Sequence, residues 1–173
     1  AGELLEQNKR NQLFFFFLCG DITSAEFRNA VRSMCTTACS DNEIDAIWNA
    51  MLVAIPIEKL HFLIELRKRY KVYLLSNTNE IHWDYIVAHF FEQQGIKPEA
   101  CFDYIFLSYK MKEKKPNSAI YQKALETGNM RPEETLFIDD LKENCQAAAA
   151  LGIQTIHFTP GRSLPAAVCN FLT

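Results

Sequence analysis

The residues in this chain best suited to chemistry are two adjacent carboxylates, Asp139 and Asp140. They follow the short apolar run 136–138, which predicts a buried strand. In an open α/β sheet, ligands bind outside the carboxyl ends of the strands. Two acids at that position would form an oxygen-rich corner suited to Mg²⁺. A simpler alternative is that one of them caps the following helix, and the doublet taken alone favours this alternative.

A hydroxyl and an amide follow a second predicted strand, residues 71–75. Ser76, Asn77 and Thr78 come directly after its apolar residues. Such groups, together with free backbone N–H groups, can bind an anion. The alternative is an ordinary polar loop, which this segment taken alone fits better.

A lysine precedes a proline beyond a third predicted strand, residues 104–107. Lys115 ends the charged run 112–115 and is followed by Pro116, which fits the first turn of a helix. Lysine is a compact point charge that can neutralise a phosphate. Most lysine clusters are solvated surfaces, so this signal is also weak by itself.

Taken in order, these three segments resemble motifs of the haloacid dehalogenase-like hydrolase superfamily. Ser76 matches the Ser/Thr that ends a strand in the second motif, and Lys115 matches the lysine before proline in the third. Asp139 and Asp140 match the acids that end a strand in the fourth. Each motif is weak, but the ordered set is specific, and the resemblance runs from about residue 56 to about residue 161.

The resemblance implies a doubly wound parallel sheet, a Rossmann-like three-layer α/β fold, with a small helical cap. The sequence pattern agrees, because it is helical before Ile55-Pro56 and alternates between helix and strand after it. We therefore expect a helical cap subdomain over residues 1–55 and an α/β core over residues 56–173. The strands are expected at residues 72–75, 104–107, 136–138 and 154–158.

One family motif has no counterpart. In the family, an Asp-x-Asp pair at the end of a buried N-terminal strand supplies the nucleophile and the general acid/base. The first three Asp residues here are Asp21, Asp41 and Asp45, and none follows an apolar strand with another Asp two positions on. The family places that strand between strands 72–75 and 136–138. We expect this central nucleophile strand to be missing, so the α/β core would be incomplete at its N-terminus.

A missing central strand would affect stability. Each buried polar group left unpaired costs roughly 1–3 kcal/mol, whereas a whole domain is stable by only about 5–15 kcal/mol. We therefore do not expect the bare chain to be a stable monomer. Either a complementing N-terminal segment or a homo-oligomer would fill the gap, or the sequence is part of a longer gene product.

The resemblance implies a Mg²⁺-dependent phosphatase that acts on a small phosphorylated metabolite through an aspartyl phosphate, with the nucleophile outside the given sequence. Ser76 and the N–H of Asn77 would bind a phosphoryl oxygen, and Lys115 would offset negative charge. Asn77 and Thr78 could contact the leaving group. Asp140, with Asp139 ligating directly or through water, would hold Mg²⁺. The chain alone is expected to be inactive.

Two other functions compete with this one. A 2-haloacid dehalogenase would use the same nucleophile without a metal, but such a site gains nothing from Asp139 and Asp140. A non-catalytic relative that binds a ligand or a protein is favoured by the missing nucleophile. It ranks lower because Ser76, Lys115 and the acid doublet are all present.

Composition excludes several other classes of protein. The 173 residues carry a formal net charge of -3, which argues against nucleic-acid binding. The longest apolar run, residues 13–19, is far shorter than the ~20 residues of a membrane-spanning helix. The six cysteines show no Cys-x-x-Cys spacing, which fits free thiols in a reducing cytoplasm, and Cys35 and Cys39 are expected to be neighbours on one helix face. Residues 14–17 are four consecutive phenylalanines, which cannot all face one core.

Overall fold

From residue 11, where the described residues begin, the N-terminal part of the molecule contains three helices. The computed structural model describes residues 11–159 and 161–172, so the first ten residues of the expected cap lie outside the described residues. Helix α1 is helical over residues 11–18. Helix α2 covers Ser24–Met34 and α3 covers Asp41–Asn49. We refer to α1, α2 and α3 together as the helical layer.

Helices α2 and α3 both begin with a capping box. The Thr23 side chain accepts a hydrogen bond from the N–H of Glu26, whose carboxylate accepts one from the N–H of Thr23. Ser40 and Glu43 repeat this exchange at the start of α3. Because these bonds satisfy N–H groups that a helix leaves free, they fix where each helix begins.

Helices and strands alternate after residue 56. Glu80–Ile86 (α5) continues into a π-helical turn, Val87–Phe91, and a 3₁₀ turn, Glu92–Gln94. A further 3₁₀ turn, Pro132–Glu134, precedes β3. The other elements are α4 (Ile57–Leu66), β1 (Tyr73–Ser76), α6 (Pro98–Cys101), β2 (Tyr104–Leu107), α7 (Ser108–Met111), α8 (Ser118–Gly128), β3 (Leu136–Asp139), α9 (Lys142–Ala149), β4 (Gln154–His157) and α10 (Leu164–Leu172).

The strands form two parallel pairs. In the first, Tyr73 of β1 pairs with Tyr104 of β2, and in the second, Leu136 of β3 pairs with Gln154 of β4. The expected sheet lacks its central strand, and within the described part of the chain β1 and β3 have no common neighbour. The two strands of each pair are connected by a crossover segment that contains helices. A sheet that joined the two pairs would need a further strand, which the described residues do not provide. The central strand itself stays a prediction.

Within the part of the chain that the structure describes, three groups of buried apolar side chains form the core. The first packs α4 against the π-helical turn, the second packs α8 against α9, and the third packs α1 and α2 against α5. Deeply buried members of these groups include Leu60, Phe91, Cys101, Ile120, Tyr121, Ala148, Phe17 and Phe27. None of the described helices is both long and apolar enough to cross a membrane.

The four phenylalanines divide between the core and the surface. Phe17 is buried and stacks on Phe27, with ring centroids 4.2 Å apart. Phe14 stacks on Trp48 at 5.2 Å. Phe15 and Phe16 are exposed, as a continuous aromatic run on one helix requires.

Two local expectations from the sequence are wrong. Pro116 does not lie in the first turn of a helix, because α8 begins at Ser118 with Asn117 as its N-cap. Instead, Pro116 follows Lys115 through a cis peptide bond. Cys35 and Cys39 do not share a helix face either, since α2 ends before Cys35 and both cysteines lie in the connection to α3.

Candidate active site

The centre of the candidate site is a buried ion pair between Lys115 and Asp139. The Nζ atom of Lys115 lies 2.7 Å from Oδ2 of Asp139, and the two side chains are only 10% and 6% exposed. The same ammonium donates to the backbone carbonyl of Leu75 at 2.8 Å. Leu75 belongs to β1 and Asp139 ends β3, so one lysine links the carboxyl ends of the two strand pairs.

Both oxygens of Asp139 accept hydrogen bonds. Besides the ion pair, Oδ1 accepts from the N–H of Leu141 at 2.9 Å and from Nδ2 of Asn144 at 2.8 Å. Burial pushes the pKa of Asp139 up, but the hydrogen bonds from Lys115, Leu141 and Asn144 outweigh burial and lower it. The carboxylate is therefore ionised near neutral pH, and it also holds the turn that leads into α9.

Asp140 differs sharply from its neighbour. Its side chain is exposed, and no described residue forms a hydrogen bond or ion pair with its carboxylate. Only its backbone is engaged, where the carbonyl oxygen meets Nε2 of His157 at 2.9 Å. Asp140 is therefore free to bind a ligand, whereas Asp139 is largely committed to the protein.

The acid doublet fits a divalent cation in part. Carboxylate oxygens are the ligands that Mg²⁺ prefers, and Asp140 offers them without losing an existing bond. Among the described residues, however, no three His, Cys, Asp or Glu side chains come together as a metal site. A cation bound by Asp139 and Asp140 would need further ligands from water, substrate, backbone or another segment.

At the end of β1, Ser76 and Asn77 have different surroundings. The Ser76 side chain is half-buried, and no described residue forms a hydrogen bond with its hydroxyl. Asn77 instead binds the backbone of Lys115 with both ends of its amide: Nδ2 donates to the carbonyl at 2.9 Å, and Oδ1 accepts from the N–H at 2.8 Å. Asn77 therefore positions Lys115. A contact between its side chain and a leaving group stays a prediction and would require these bonds to open.

Thr78 is buried and held by a serine that the sequence motifs do not include. The hydroxyl of Ser108 accepts from the N–H of Thr78 at 2.9 Å and donates to its carbonyl at 2.8 Å. Ser108 follows β2 immediately and is fully buried. Its position after an apolar strand was a usable signal, because β1 ends in Ser76 in the same way.

Asn144 is a second residue that the motifs do not indicate. It donates to Asp139, and its backbone carbonyl accepts from the Tyr121 hydroxyl at 2.9 Å. Burial raises the pKa of Tyr121, so its hydroxyl stays protonated and donates this bond. The structure thus connects Asn77, Lys115, Asp139 and Asn144 in one network, with Ser76 and Asp140 beside it as groups without partners among the described residues.

Comparison with known proteins identifies the family. Residues 56–158 match the haloacid dehalogenase-like hydrolase family. The chain belongs to this family. The match covers the three motif segments and all four strands. The expected haloacid dehalogenase-like α/β architecture is thereby confirmed, although the joining strand is not observed.

Similar proteins include a curated phosphatase and two solved structures from Bacteroides thetaiotaomicron. The curated relative, D-ribitol-5-phosphate phosphatase, is 30% identical over 136 residues; the match covers 79% of this chain and 66% of the relative, just under two thirds of its length. A haloacid dehalogenase family enzyme superposes with a TM-score of 0.91 at 40% identity, covering 97% of this chain and 83% of its own. A structure of an aspartate-to-alanine mutant of the same enzyme, in complex with magnesium and inorganic phosphate, superposes with a TM-score of 0.86 at 42% identity. This match covers 90% of this chain and 77% of the mutant's.

Proposed function

We propose that this protein is a Mg²⁺-dependent phosphatase of small phosphorylated metabolites. The observation that carries the proposal is the buried Lys115–Asp139 pair between the ends of β1 and β3. On either side of this pair, Ser76 and Asp140 have side chains without partners among the described residues. The curated relative is named as a phosphatase, and a similar solved structure contains magnesium and inorganic phosphate, which supports this chemistry.

In the proposed mechanism, this chain binds the phosphoryl group and balances its charge. The Ser76 hydroxyl and the N–H of Asn77 would donate hydrogen bonds to a phosphoryl oxygen. Lys115 would stabilise the negative charge of phosphate and nucleophile from a fixed position, because two bonds from Asn77 and the Asp139 pair already hold it. Pre-set charges of this kind need no rearrangement when the reaction occurs.

Asp140, with Asp139, would hold the cation. Asp140 would ligate directly, since its carboxylate is exposed and has no partner among the described residues. Asp139 would ligate through water or by exchanging one of its present bonds. When bound, Mg²⁺ neutralises charge between an attacking carboxylate and a phosphate.

The nucleophile would come from a strand that lies between β1 and β3. Its Asp-x-Asp pair would end beside Lys115, where the carboxyl ends of the two strand pairs approach the same ammonium. The two strand pairs formed by the described residues are consistent with a further strand between them. A segment of a longer gene product, or a separate complementing segment that carries the Asp-x-Asp pair, would supply the strand, and the enzyme would then act through an aspartyl phosphate.

The helical layer would serve as the cap that selects the substrate, extending to about residue 55. It packs against α5, which begins just after the Ser76–Thr78 segment. A phosphorylated sugar alcohol such as D-ribitol 5-phosphate is the first substrate to assay, because the curated relative acts on it by name. The six free cysteines support a reducing compartment, and we propose the cytoplasm.

Complementation tests this proposal. Phosphate release from a generic aryl phosphate ester and from D-ribitol 5-phosphate would be measured with and without Mg²⁺. The bare chain should be inactive, and the same chain preceded by an Asp-x-Asp strand should turn over and lose activity in EDTA. Turnover by the bare chain would place the nucleophile among the carboxylates already present. Inactivity of the extended, folded chain towards both substrates would instead indicate a non-catalytic relative.

A further inference from the structure

A closed ring of hydrogen bonds joins the helical layer to the start of α5. Trp48 lies on α3, Asn79 is the N-cap of α5, and His82 lies in the first turn of that helix. Nε1 of Trp48 donates to Oδ1 of Asn79 at 3.4 Å, and the N–H of His82 donates to the same oxygen at 3.0 Å. Nε2 of His82 meets the backbone carbonyl of Trp48 at 3.0 Å, which closes the ring.

The hydrogen bonds of this ring show which nitrogen of His82 carries a hydrogen. A backbone carbonyl can only accept, so Nε2 of His82 must carry a hydrogen and donate it. Burial lowers the pKa of His82, although the bond to the Trp48 carbonyl partly opposes this effect. The imidazole is therefore neutral at pH 7, protonated on Nε2, and it stacks on the Trp48 indole with centroids 4.9 Å apart.

Asn79 connects this ring to the candidate active site. It follows Ser76, Asn77 and Thr78 directly in the chain, and it is fully buried. With both donors on Oδ1, its side chain is fixed to α3 on one side and to α5 on the other. The preceding residue is fixed separately, because Ser108 binds both backbone groups of Thr78. The segment 76–79 is thus held at its far end by the helical layer.

We propose that Trp48 and His82 are positioning residues that act through Asn79 to hold Ser76 and Asn77 in a phosphate-binding geometry. This proposal rests on the proposed function, because a phosphate-binding geometry is needed only if the protein binds a phosphorylated substrate. It also assigns the helical layer a second role: besides covering a substrate, it stabilises the anion-binding segment. Neither Trp48 nor His82 needs to touch the substrate.

Three variants separate the ring's hydrogen bonds from its packing. Trp48→Phe removes the indole donor but keeps an aromatic ring against Phe14, Phe27 and His82. His82→Phe keeps a ring beside Trp48 and removes the Nε2 donor, whereas His82→Gln restores a neutral donor at a similar reach without the ring. Ile47→Ala is the matched control, because Ile47 is 73% exposed on the same helix.

Amide hydrogen exchange of Thr78 reports on the segment directly, whether or not the protein is an enzyme. We expect Trp48→Phe and His82→Phe to speed exchange at Thr78 about 2- to 10-fold, as the loss of one hydrogen bond predicts. His82→Gln and Ile47→Ala should stay close to wild type. Unchanged Thr78 exchange in both Phe variants, or equally faster exchange in Ile47→Ala, would overturn the proposal.

Binding of inorganic phosphate in the presence of Mg²⁺, measured by calorimetric titration on wild type and the same variants, each preceded by an Asp-x-Asp strand, separates this proposal from the proposed function. The positioning role predicts weaker phosphate binding in the two Phe variants and near-wild-type binding in His82→Gln. Wild-type binding retained in both Phe variants would overturn the link between the ring and phosphate. Faster exchange in a protein whose wild type binds no phosphate would uphold the ring as a clamp on the segment and would count against the phosphatase function instead.

Discussion

The ends of β1 and β3 meet at the same lysine but are built differently. At β3, the Asp139 carboxylate is buried and accepts bonds from Lys115, Leu141 and Asn144. At β1, the Ser76 hydroxyl has no described partner, and the protein binds the residues after it instead. In the function that we propose, the β3 end would be the charged framework of the site, and the β1 end would present groups to a ligand. Adjacent residues divide in the same way, because Asp139 is engaged while Asp140 is exposed.

Removing the lysine should break this arrangement most severely. Lys115→Met leaves the buried Asp139 charge without its cation, and loss of one partner of a buried ion pair costs about 3–5 kcal/mol of unfolding free energy. Urea denaturation measures the loss. Lys110→Met, at an exposed lysine, is the control and should stay within about 0.5 kcal/mol of wild type.

A double mutant tests whether the stability lost in Lys115→Met comes from its ion pair with Asp139. Lys115→Met combined with Asp139→Asn removes both charges, so it should cost clearly less than the sum of the single variants. Strict additivity would show that the two side chains do not interact, against the 2.7 Å distance between them.

Substitutions of the neighbours Asn77 and Ser76 should differ in their effects on the unfolding free energy. Asn77→Ala removes two hydrogen bonds to the Lys115 backbone and should lower the unfolding free energy by about 1–3 kcal/mol. Ser76→Ala removes a hydroxyl without a described partner, so stability should change by less than about 0.5 kcal/mol while phosphate binding falls. Chemical denaturation and phosphate titration on both variants provide the comparison. Similar destabilisation by the two would contradict the division between framework and ligand-facing groups.

At the opposite end of the β1–β2 pair from the candidate site, Asp103 should make the stability of the protein depend on pH. Hydrogen bonds from Arg67, with further ones from Val72 and Lys71, lower the pKa of Asp103 from 3.8 to about 2. The folded state therefore binds this proton less readily than the unfolded state, and the stabilisation is complete above about pH 4 and lost as the pH falls towards 2. We expect a loss of about 1–2 kcal/mol from this group, after screening by solvent.

Asp103→Asn tests that assignment. Urea unfolding of the variant should lack the part of the acid-induced loss that Asp103 contributes, so its stability should fall less than that of wild type between pH 4 and 2. An identical pH dependence in both proteins would show that other carboxylates carry the effect.

The sequence predicts the elements better than their connections. The predicted strands agree with the four described strands to within two residues at each end, because short apolar runs between turn signals mark buried strands. Both capping boxes follow from Thr23 with Glu26 and Ser40 with Glu43. The gap between β1 and β3 agrees with the expected missing strand, but the pairing of β1 with β2 and of β3 with β4 was not predicted, because apolar runs do not show which strands are neighbours.

Part of the arrangement at the candidate site follows the motif order, whereas the roles of its residues stay predictions. Lys115 pairs with Asp139, and the same ammonium binds the carbonyl of Leu75, the residue before Ser76. The clamp of Asn77 on Lys115 spans 38 positions of sequence, and the bond between Ser108 and Thr78 spans 30. Local patterns carry no information about such long-range partners, so these contacts could be found only in the folded structure. The same limit applies to the difference between Asp139 and Asp140, which depends on burial.

The exposed carboxylate of Asp140 should matter least for stability and most for the metal. Asp140→Asn should change the unfolding free energy by less than about 0.5 kcal/mol, because no described residue depends on that side chain. It should abolish stabilisation by Mg²⁺ in a thermal melt, since the amide provides a weaker ligand. A thermal melt in a Mg²⁺ series, with Glu143→Gln as control on the exposed start of α9, measures both effects.

The most direct test of the account is Mg²⁺-dependent phosphate release by the chain preceded by an Asp-x-Asp strand, compared between wild type and Asp140→Asn. The account predicts turnover by wild type that requires Mg²⁺, and at least a hundredfold loss (~10²) in a variant that remains equally folded, in line with the loss seen when an electrostatic catalytic group is removed. Equal turnover by the two proteins, or wild-type turnover that persists in EDTA, would contradict the assignment of this site as a magnesium-dependent phosphatase centre.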